Sequence, residues 1–221
     1  FNKHKIGTIF EHYALKYDSG NVSNNGDWGN QTPGVSFANT SWHHVALSWD
    51  PGSTRLKIYF DGTIALNNAW SGPISTSGGR LYIGCNNQNT DADGQPPSLT
   101  EFFPGVIDEA KIYKKALTDA QITDEFNKGG TSAPTVSNAG LLARYEFETV
   151  GTTTPDSSGN GFTATVVGGA STRAGKFGNA ISLDGVDDCA WVPGVGPLEL
   201  QSDYTVSAWV YVDAYPAAGT S

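Results

Sequence analysis

Acidic and amide side chains gather in three loops of this 221-residue chain: Asp156 with Asn160; Asp184, Asp187 and Asp188; and Asn86, Asn87, Asn89, Asp91 and Asp93. Calcium takes six to eight oxygens from carboxylates, amides and carbonyls, and glycine-rich turns let backbone carbonyls approach it. The run Asp156-Ser157-Ser158-Gly159-Asn160-Gly161 offers such a turn, so a structural Ca2+ is one expectation. The same residue types are ordinary turn formers, with Asp closing Asx-turns, and that reading stands beside it. A second chemistry is sugar recognition, in which aromatic faces stack on pyranose rings and polar groups fix hydroxyls on a concave, partly apolar surface. Trp28, Trp70, Asn86, Asn87, Asp91 and Asp93 form the expected ligand set, with Tyr82 and Trp191 as further aromatic surface. Aromatic residues also dominate sandwich cores. Trp42, Trp49 and Trp209 fall in strand patterns and are expected there.

Catalysis finds little support, and no catalytic residue is expected. The four histidines (His4, His12, His43, His44) form no HExxH and pair with no nucleophile motif. Asp108 and Glu109 are adjacent in a strand pattern, and strand side chains alternate faces, so the two carboxylates are not expected to act together. No glycine-rich phosphate loop stands between a strand and a helix.

Composition narrows the partners. Thirteen basic against 22 acidic residues give a net charge of −9. Nucleic-acid phosphates need a basic surface, so DNA and RNA are excluded as partners. No apolar run approaches the ~20 residues that cross a bilayer. Twenty-seven glycines and only 16% charged residues fit an all-β domain with long polar loops. There is no Met, and the chain reads as a piece of something longer. Cys85 and Cys189 have no zinc spacing. They either form one disulfide in an oxidising compartment or lie as two buried thiols. Sequons at Asn21, Asn30 and Asn39 are open to glycosylation in a suitable host.

The elements that must position these residues are strands. Leu56, Ile58 and Phe60 alternate, Asp61-Gly62 signals a hairpin turn, and Thr63 to Leu66 begins the return. Further strands are expected at 13–17, 43–49, 81–85, 106–113, 141–147, 162–167, 180–183, 189–192 and 204–212. One helix is expected after Thr118, where Thr118-Asp119-Ala120-Gln121 forms a capping box. Residues 129–139 have linker composition.

Trp42-His43-His44-Val45-Ala46, the hairpin Ile58-Tyr59-Phe60-Asp61-Gly62, and Gly105-Val106-Ile107-Asp108-Glu109-Ala110-Lys111-Ile112-Tyr113 with Ala116-Leu117-Thr118 resemble the second half of a laminin-G-like jelly roll, of the concanavalin A-like superfamily. Leu142-Ala143-Arg144-Tyr145-Glu146-Phe147, the Asp156 turn, Gly175-Lys176-Phe177-Gly178-Asn179-Ala180-Ile181-Ser182-Leu183-Asp184-Gly185 and Tyr204-Thr205-Val206-Ser207-Ala208-Trp209-Val210 resemble its first half. The resemblance implies an all-β, two-sheet jelly-roll sandwich with one short helix. It implies a calcium as well, for which Asp108 would join Asp156, Asn160 and Asp184. It also places His43-His44 at a structural position.

The halves stand in permuted order: 1–128 resembles the closing half, 129–139 links, and 140–221 resembles the opening half. Three arrangements follow: closure within one chain, a window on a tandem array, or pairing between neighbouring chains. Head-to-tail pairing that does not close builds a filament. The expected role is a non-catalytic extracellular or cell-surface adhesive or structural repeat, partnered by copies of itself. The alternative is a carbohydrate-binding accessory module of a secreted glycoside hydrolase.

Overall fold

The computed structural model describes residues 6–10, 15–18, 21–26, 29–31, 35, 40–69, 80–87, 98–128, 139–192 and 202–213. The first part of the chain supplies β1 (Ile6–Phe10), β2 (Leu15–Asp18), β3 (Asn21–Gly26), β4 (Gly29–Gln31), β5 (Trp42–Asp50), β6 (Arg55–Phe60), β7 (Thr63–Ala69), β8 (Leu81–Ile83), β9 (Asn86–Asn87), β10 (Leu99–Thr100), β11 (Pro104–Tyr113) and helix α1 (Asp119–Lys128). The second part supplies β12 (Leu141–Tyr145), β13 (Thr153–Thr154), β14 (Ala164–Val167), β15 (Ser171–Ala174), β16 (Asn179–Asp184), β17 (Cys189–Val192) and β18 (Tyr204–Val212).

Two eight-stranded antiparallel sheets result. One runs β13-β14-β17-β8-β1-β2-β3-β4. The other runs β15-β16-β11-β18-β5-β6-β7, with β12 also on β11. Both sheets mix strands from the two parts of the chain. β18 lies between β11 and β5, pairing Tyr204 with Trp49 at one end and Tyr211 with Trp42 at the other. One edge of β11 is shared: β16 takes Pro104 to Ile107, and β12 takes Ala110 to Tyr113. In the first sheet, β17 joins β8 through Trp191 opposite Tyr82.

The reason is strand alternation on both sides of the linker. Val45, Leu47, Leu56 and Ile58 from the first part share one continuous core with Ala143, Tyr145, Ile181, Leu183, Val206, Ala208 and Val210 from the second. Full burial of such a side chain contributes roughly 1.5–3 kcal/mol, which neither part could collect alone on an open sheet face.

Turn chemistry closes the hairpins as expected. Asp61 (φ 47°) and Gly62 (φ 75°) both take left-handed conformations, the type I′ geometry that suits the twist of β6 and β7. The capping box forms reciprocally. Gln121 N donates to Thr118 Oγ1 at 3.3 Å, and Thr118 N donates to Gln121 Oε1 at 2.9 Å. Ile122 of α1 then packs with Ala46, Tyr59, Tyr113 and Leu117 on the outer face of the second sheet. The expected strand ends shift by at most two residues, and 189–192 and 204–212 match without a shift. The strands β1, β3, β4, β9, β10, β13 and β15 lie outside the expected ranges; β15 is exposed at all four positions and has no apolar face to signal it.

Cys85 and Cys189 are joined in a disulfide, with Cα atoms 5.6 Å apart and a sequence separation of 104. Of the two readings open from sequence, this is the bonded one. β17 pairs directly with β8, and Cys85 follows β8, so sheet pairing brings the thiols together. Closing a loop of this length removes about 4–5 kcal/mol of denatured-state entropy in the chain-entropy account. Chemical denaturation of the Cys85→Ser, Cys189→Ser double variant is therefore expected to show a stability loss of roughly that size, and reductant should produce the same shift in the parent protein.

Candidate functional site

β11 departs from regular alternation where its two edge partners meet. Its register with β18 shifts between Asp108 and Lys111, and Glu109 takes φ 50°. Such a bulge re-aims side chains. Asp108 stands opposite Trp209, whose ring stacks on Phe126 of α1. Glu109 bonds Arg144 and lies 3.5 Å from Lys111, which itself reaches Glu125 of α1. Both carboxylates thus lie on the helix-covered face. The expectation that they point to opposite faces fails because the bulge inserts a residue between the alternating positions.

Each carboxylate is engaged. Glu109 is buried and accepts both Arg144 Nη2 bonds, at 3.2 and 2.9 Å. Arg144 also pairs with Glu146 at 2.7 Å. Lys111 Nζ donates to Glu125 Oε2 at 3.0 Å, and Tyr113 OH donates to Glu125 Oε1 at 2.9 Å. Burial, followed by the charge and hydrogen bond of Glu125, pushes the Tyr113 hydroxyl well above the ordinary phenol range. Asp108 Oδ2 accepts Phe177 N at 2.9 Å, while its Oδ1 is buried without a hydrogen-bond partner. Gly175 lies against the same carboxylate: a Cβ there would come within 2.7 Å of Asp108 Oδ2. Lys176 sits 4.5 Å from the centroid of Trp209, and Phe177 meets that ring edge-on. The turn at 175–178 and α1 therefore close over a face of mixed aromatic and ionic character.

The four residues expected to share a calcium lie in three places. Asp156 accepts Arg144 N and Ser158 N on Oδ1 and Ser158 Oγ and Phe162 N on Oδ2, at 2.8 to 3.1 Å. It ties its turn to the back of β12. Asn160 Nδ2 donates to the carbonyls of Leu141 and Leu142 at 3.1 and 2.9 Å. Asp184 pairs in register with Pro104, four residues along β11 from Asp108, so about 13 Å separates those two backbones. The set does not converge on one ion. Asp184, Asp187 and Asp188 do bring a ligand atom each within 4.8 Å of one another. In that turn Asp184 Oδ1 accepts Val186 N and Asp187 N, and Asp188 Oδ2 accepts Asp184 N. Burial raises the Asp188 carboxyl above the usual range.

Of the expected sugar-binding set, Trp28, Trp70, Asp91 and Asp93 lie outside the described residues. Asn86 and Asn87 sit on β9. Asn87 is buried: its Nδ2 donates to Tyr82 OH at 3.1 Å and its Oδ1 accepts Ser98 N at 2.8 Å. It closes the β9–β10 hairpin instead of facing solvent. Asn86 Nδ2 donates to Glu101 Oε2 at 2.9 Å. Tyr82 is buried with the disulfide, and the half-buried Trp191 packs on that cluster with Arg80 5.1 Å from its ring centroid. Trp49 and Trp209 are buried as expected, and the half-buried Trp42 packs against Tyr211.

One constellation was not legible in the sequence. His43 has Ser41 Oγ 3.0 Å from Nε2 and Asp61 Oδ2 2.8 Å from Nδ1. No sequence motif around the histidines marks this contact. The missed signal was the period of two that sets Ser41 and His43 on one face, together with the Asp61 turn that returns beside them.

Two buried groups give opposite pH signatures. Burial holds His44 down to about 4, so its contribution is present above the unfolded value of 6.5 and lost as pH falls from there towards 4. Burial pushes Asp108 up to about 7, so its ionisation destabilises the fold progressively from about pH 4 to 7. Asp108→Asn should therefore gain stability over the parent across that interval, by a few kcal/mol at about 1.4 kcal/mol per pH unit. His44→Gln should instead blunt the acid-side loss. Denaturation midpoints of both variants at pH 4, 5.5, 7 and 8 check the signs.

Among protein-family models, Laminin_G_3, described as the concanavalin A-like lectin/glucanases superfamily, matches residues 9–123. No curated protein and no solved structure matches the chain. The matched residues run from β1 into α1 and include β5, the β6–β7 hairpin and the bulged β11. They make up just over half of the 221 residues, and the observed two-sheet antiparallel sandwich is the architecture they require. The chain belongs to the concanavalin A-like lectin/glucanases superfamily.

Proposed function

We propose that this domain is a non-catalytic adhesive or structural unit of an extracellular protein, able to complete its sandwich between copies as well as within one chain. The observation that carries this reading is the seam. The ladders β11·β12, β11·β16, β11·β18, β18·β5 and β17·β8 all join the chain before the linker to the chain after it. A neighbouring copy offers the same strands, and a head-to-tail exchange that does not close extends without limit. The disulfide supports an extracellular setting, since such bonds persist in oxidising compartments. Among the described residues no helix is long and apolar enough to cross a membrane. A non-catalytic role is supported by the β11 carboxylates. Glycosidases place two free carboxyl groups about 5–10 Å apart across a sugar, whereas Glu109 is held by Arg144 and Asp108 lies under the 175–178 turn.

A second reading, a carbohydrate-binding accessory module, is favoured by Trp191, which is half-buried with Arg80 5.1 Å from its ring centroid. Aromatic rings with adjacent polar groups are the chemistry of sugar recognition.

Cys85 and Cys189 stand on opposite sides of the seam, so the oxidised protein records how the seam closed. On a non-reducing gel after refolding at high concentration, a disulfide-linked ladder with filaments by electron microscopy is the result expected for exchange between copies. A single compact band at every concentration would overturn that part of the proposal. For the second reading, a glycan array is expected to give hits that Trp191→Ala weakens at least about tenfold, and an array without hits removes it.

A further inference from the structure

Ser41, His43 and Asp61 stand in the order and at the distances of an acyl-transfer relay. Ser41 Oγ lies 3.0 Å from His43 Nε2, and His43 Nδ1 lies 2.8 Å from Asp61 Oδ2. Both fall within the 2.6–3.2 Å reach that couples a nucleophile to its base and the base to an orienting group. Such relays are recognised by geometry and role, whatever the chain order. Because the Asp61 carboxylate can only accept, it fixes the proton on His43 Nδ1 and leaves the Nε2 lone pair to receive the Ser41 hydroxyl proton.

The arrangement is held from several sides. Asp61 N donates to His44 O at 2.8 Å, and His44 N donates to Asp61 Oδ1 at 3.0 Å. Those two bonds pin the carboxylate so that Oδ2 alone turns to His43. The turn itself is held by α1: Thr123 Oγ1 donates to Gly62 O at 2.9 Å, and a Cβ on Gly62 would meet Phe126 at 3.0 Å. The imidazole stacks on Phe60 with ring centroids 4.6 Å apart. Its side chain is 10% exposed, while that of Asp61 is 34% exposed. Ser41 precedes β5 and is half-buried. Val45 lies two residues beyond His43 on the same face, and Val210 stands opposite His43; both are fully buried. Phe60 and these strand neighbours give the base one apolar side.

We propose that Ser41 is an activated nucleophile and a covalent acylation site for activated carboxylic esters, with His43 as base and Asp61 as its orienting carboxylate. Ser41 Oγ adds to the acyl carbonyl carbon as its proton passes to His43 Nε2. The tetrahedral adduct collapses, the bond from carbon to the departing alkoxide breaks, and His43 returns the proton to that alkoxide. The products are an acyl-Ser41 ester and one alcohol, with no change of oxidation state. A single acylation needs no turnover, so it goes beyond the structural role proposed above without depending on how the seam closes.

The test uses the oxidised full chain and a fluorophosphonate probe, read by intact mass and peptide mapping. One adduct, on Ser41, is expected. Ser41→Ala and His43→Gln should take up none while keeping the parent far-UV spectrum. Asp61→Asn retains a residue that tolerates the left-handed turn and can still accept from His44 N. It should slow labelling at least about a hundredfold. p-Nitrophenyl butyrate should release one equivalent of nitrophenol per chain in a burst that these variants lack. No adduct on the parent protein, an adduct elsewhere, or unchanged labelling of folded His43→Gln would overturn the proposal.

Discussion

The structure depends on β18 being held between β11 and β5. β18 comes from the end of the described chain, yet its nine residues lie in the middle of the second sheet, laddered on both sides to strands more than 90 residues earlier. Val206, Ala208 and Val210 fill the inner face while Thr205, Ser207 and Trp209 face α1. Without this strand β5 would be an open edge with a bare apolar face, and such edges recruit whatever strand is available. Everything else in the second sheet is arranged around the resulting register, including the shared outer edge of β11.

That shared edge explains the chemistry of the outer layer. β16 and β12 meet along β11 at the bulge, and the extra residue there turns Asp108 and Glu109 both outward. Two adjacent carboxyl groups under a helix would repel and remain desolvated unless compensated, and buried charges persist only when paired. Arg144 and Lys111 compensate Glu109, and Lys111 also bridges to Glu125 on α1. Asp108 has backbone amides but no cationic partner, and burial outweighs those amides and raises its affinity for a proton.

The sandwich was legible where a physical rule acts locally. Alternation in Leu56, Ile58 and Phe60, the Asp61-Gly62 turn and the Thr118 capping box each produced the element they implied. The resemblance of the outer segments to two halves of one domain pointed to a common interior, and the core draws on both. What stayed hidden depends on partners distant in sequence. Asp156 looks like a metal ligand because its oxygens are plentiful, but Arg144 N of β12, Ser158 N and Oγ of its own turn and Phe162 N occupy them. Asn87 looks like a sugar ligand until Ser98 and Tyr82 engage both ends of its amide. The bulge at Glu109 arises only because two strands compete for one edge, which no spacing within β11 records.

The Ser41 relay shows the same logic carried into the tertiary structure. The capping box starts α1, α1 brings Thr123 and Phe126 onto Gly62, and the turn then fixes Asp61 against the backbone of His44. From that position Asp61 Oδ2 reaches His43 Nδ1, and His43 Nε2 lies 3.0 Å from Ser41 Oγ. A hairpin turn alone needs a left-handed Asp-Gly pair and nothing at His43. A clamp of β5 to the turn is satisfied by Asp61 and His44, whose two backbone-directed bonds already close it. The bond to the His43 side chain is additional to both requirements, and it is the one that sets the tautomer of the imidazole beside a half-buried serine.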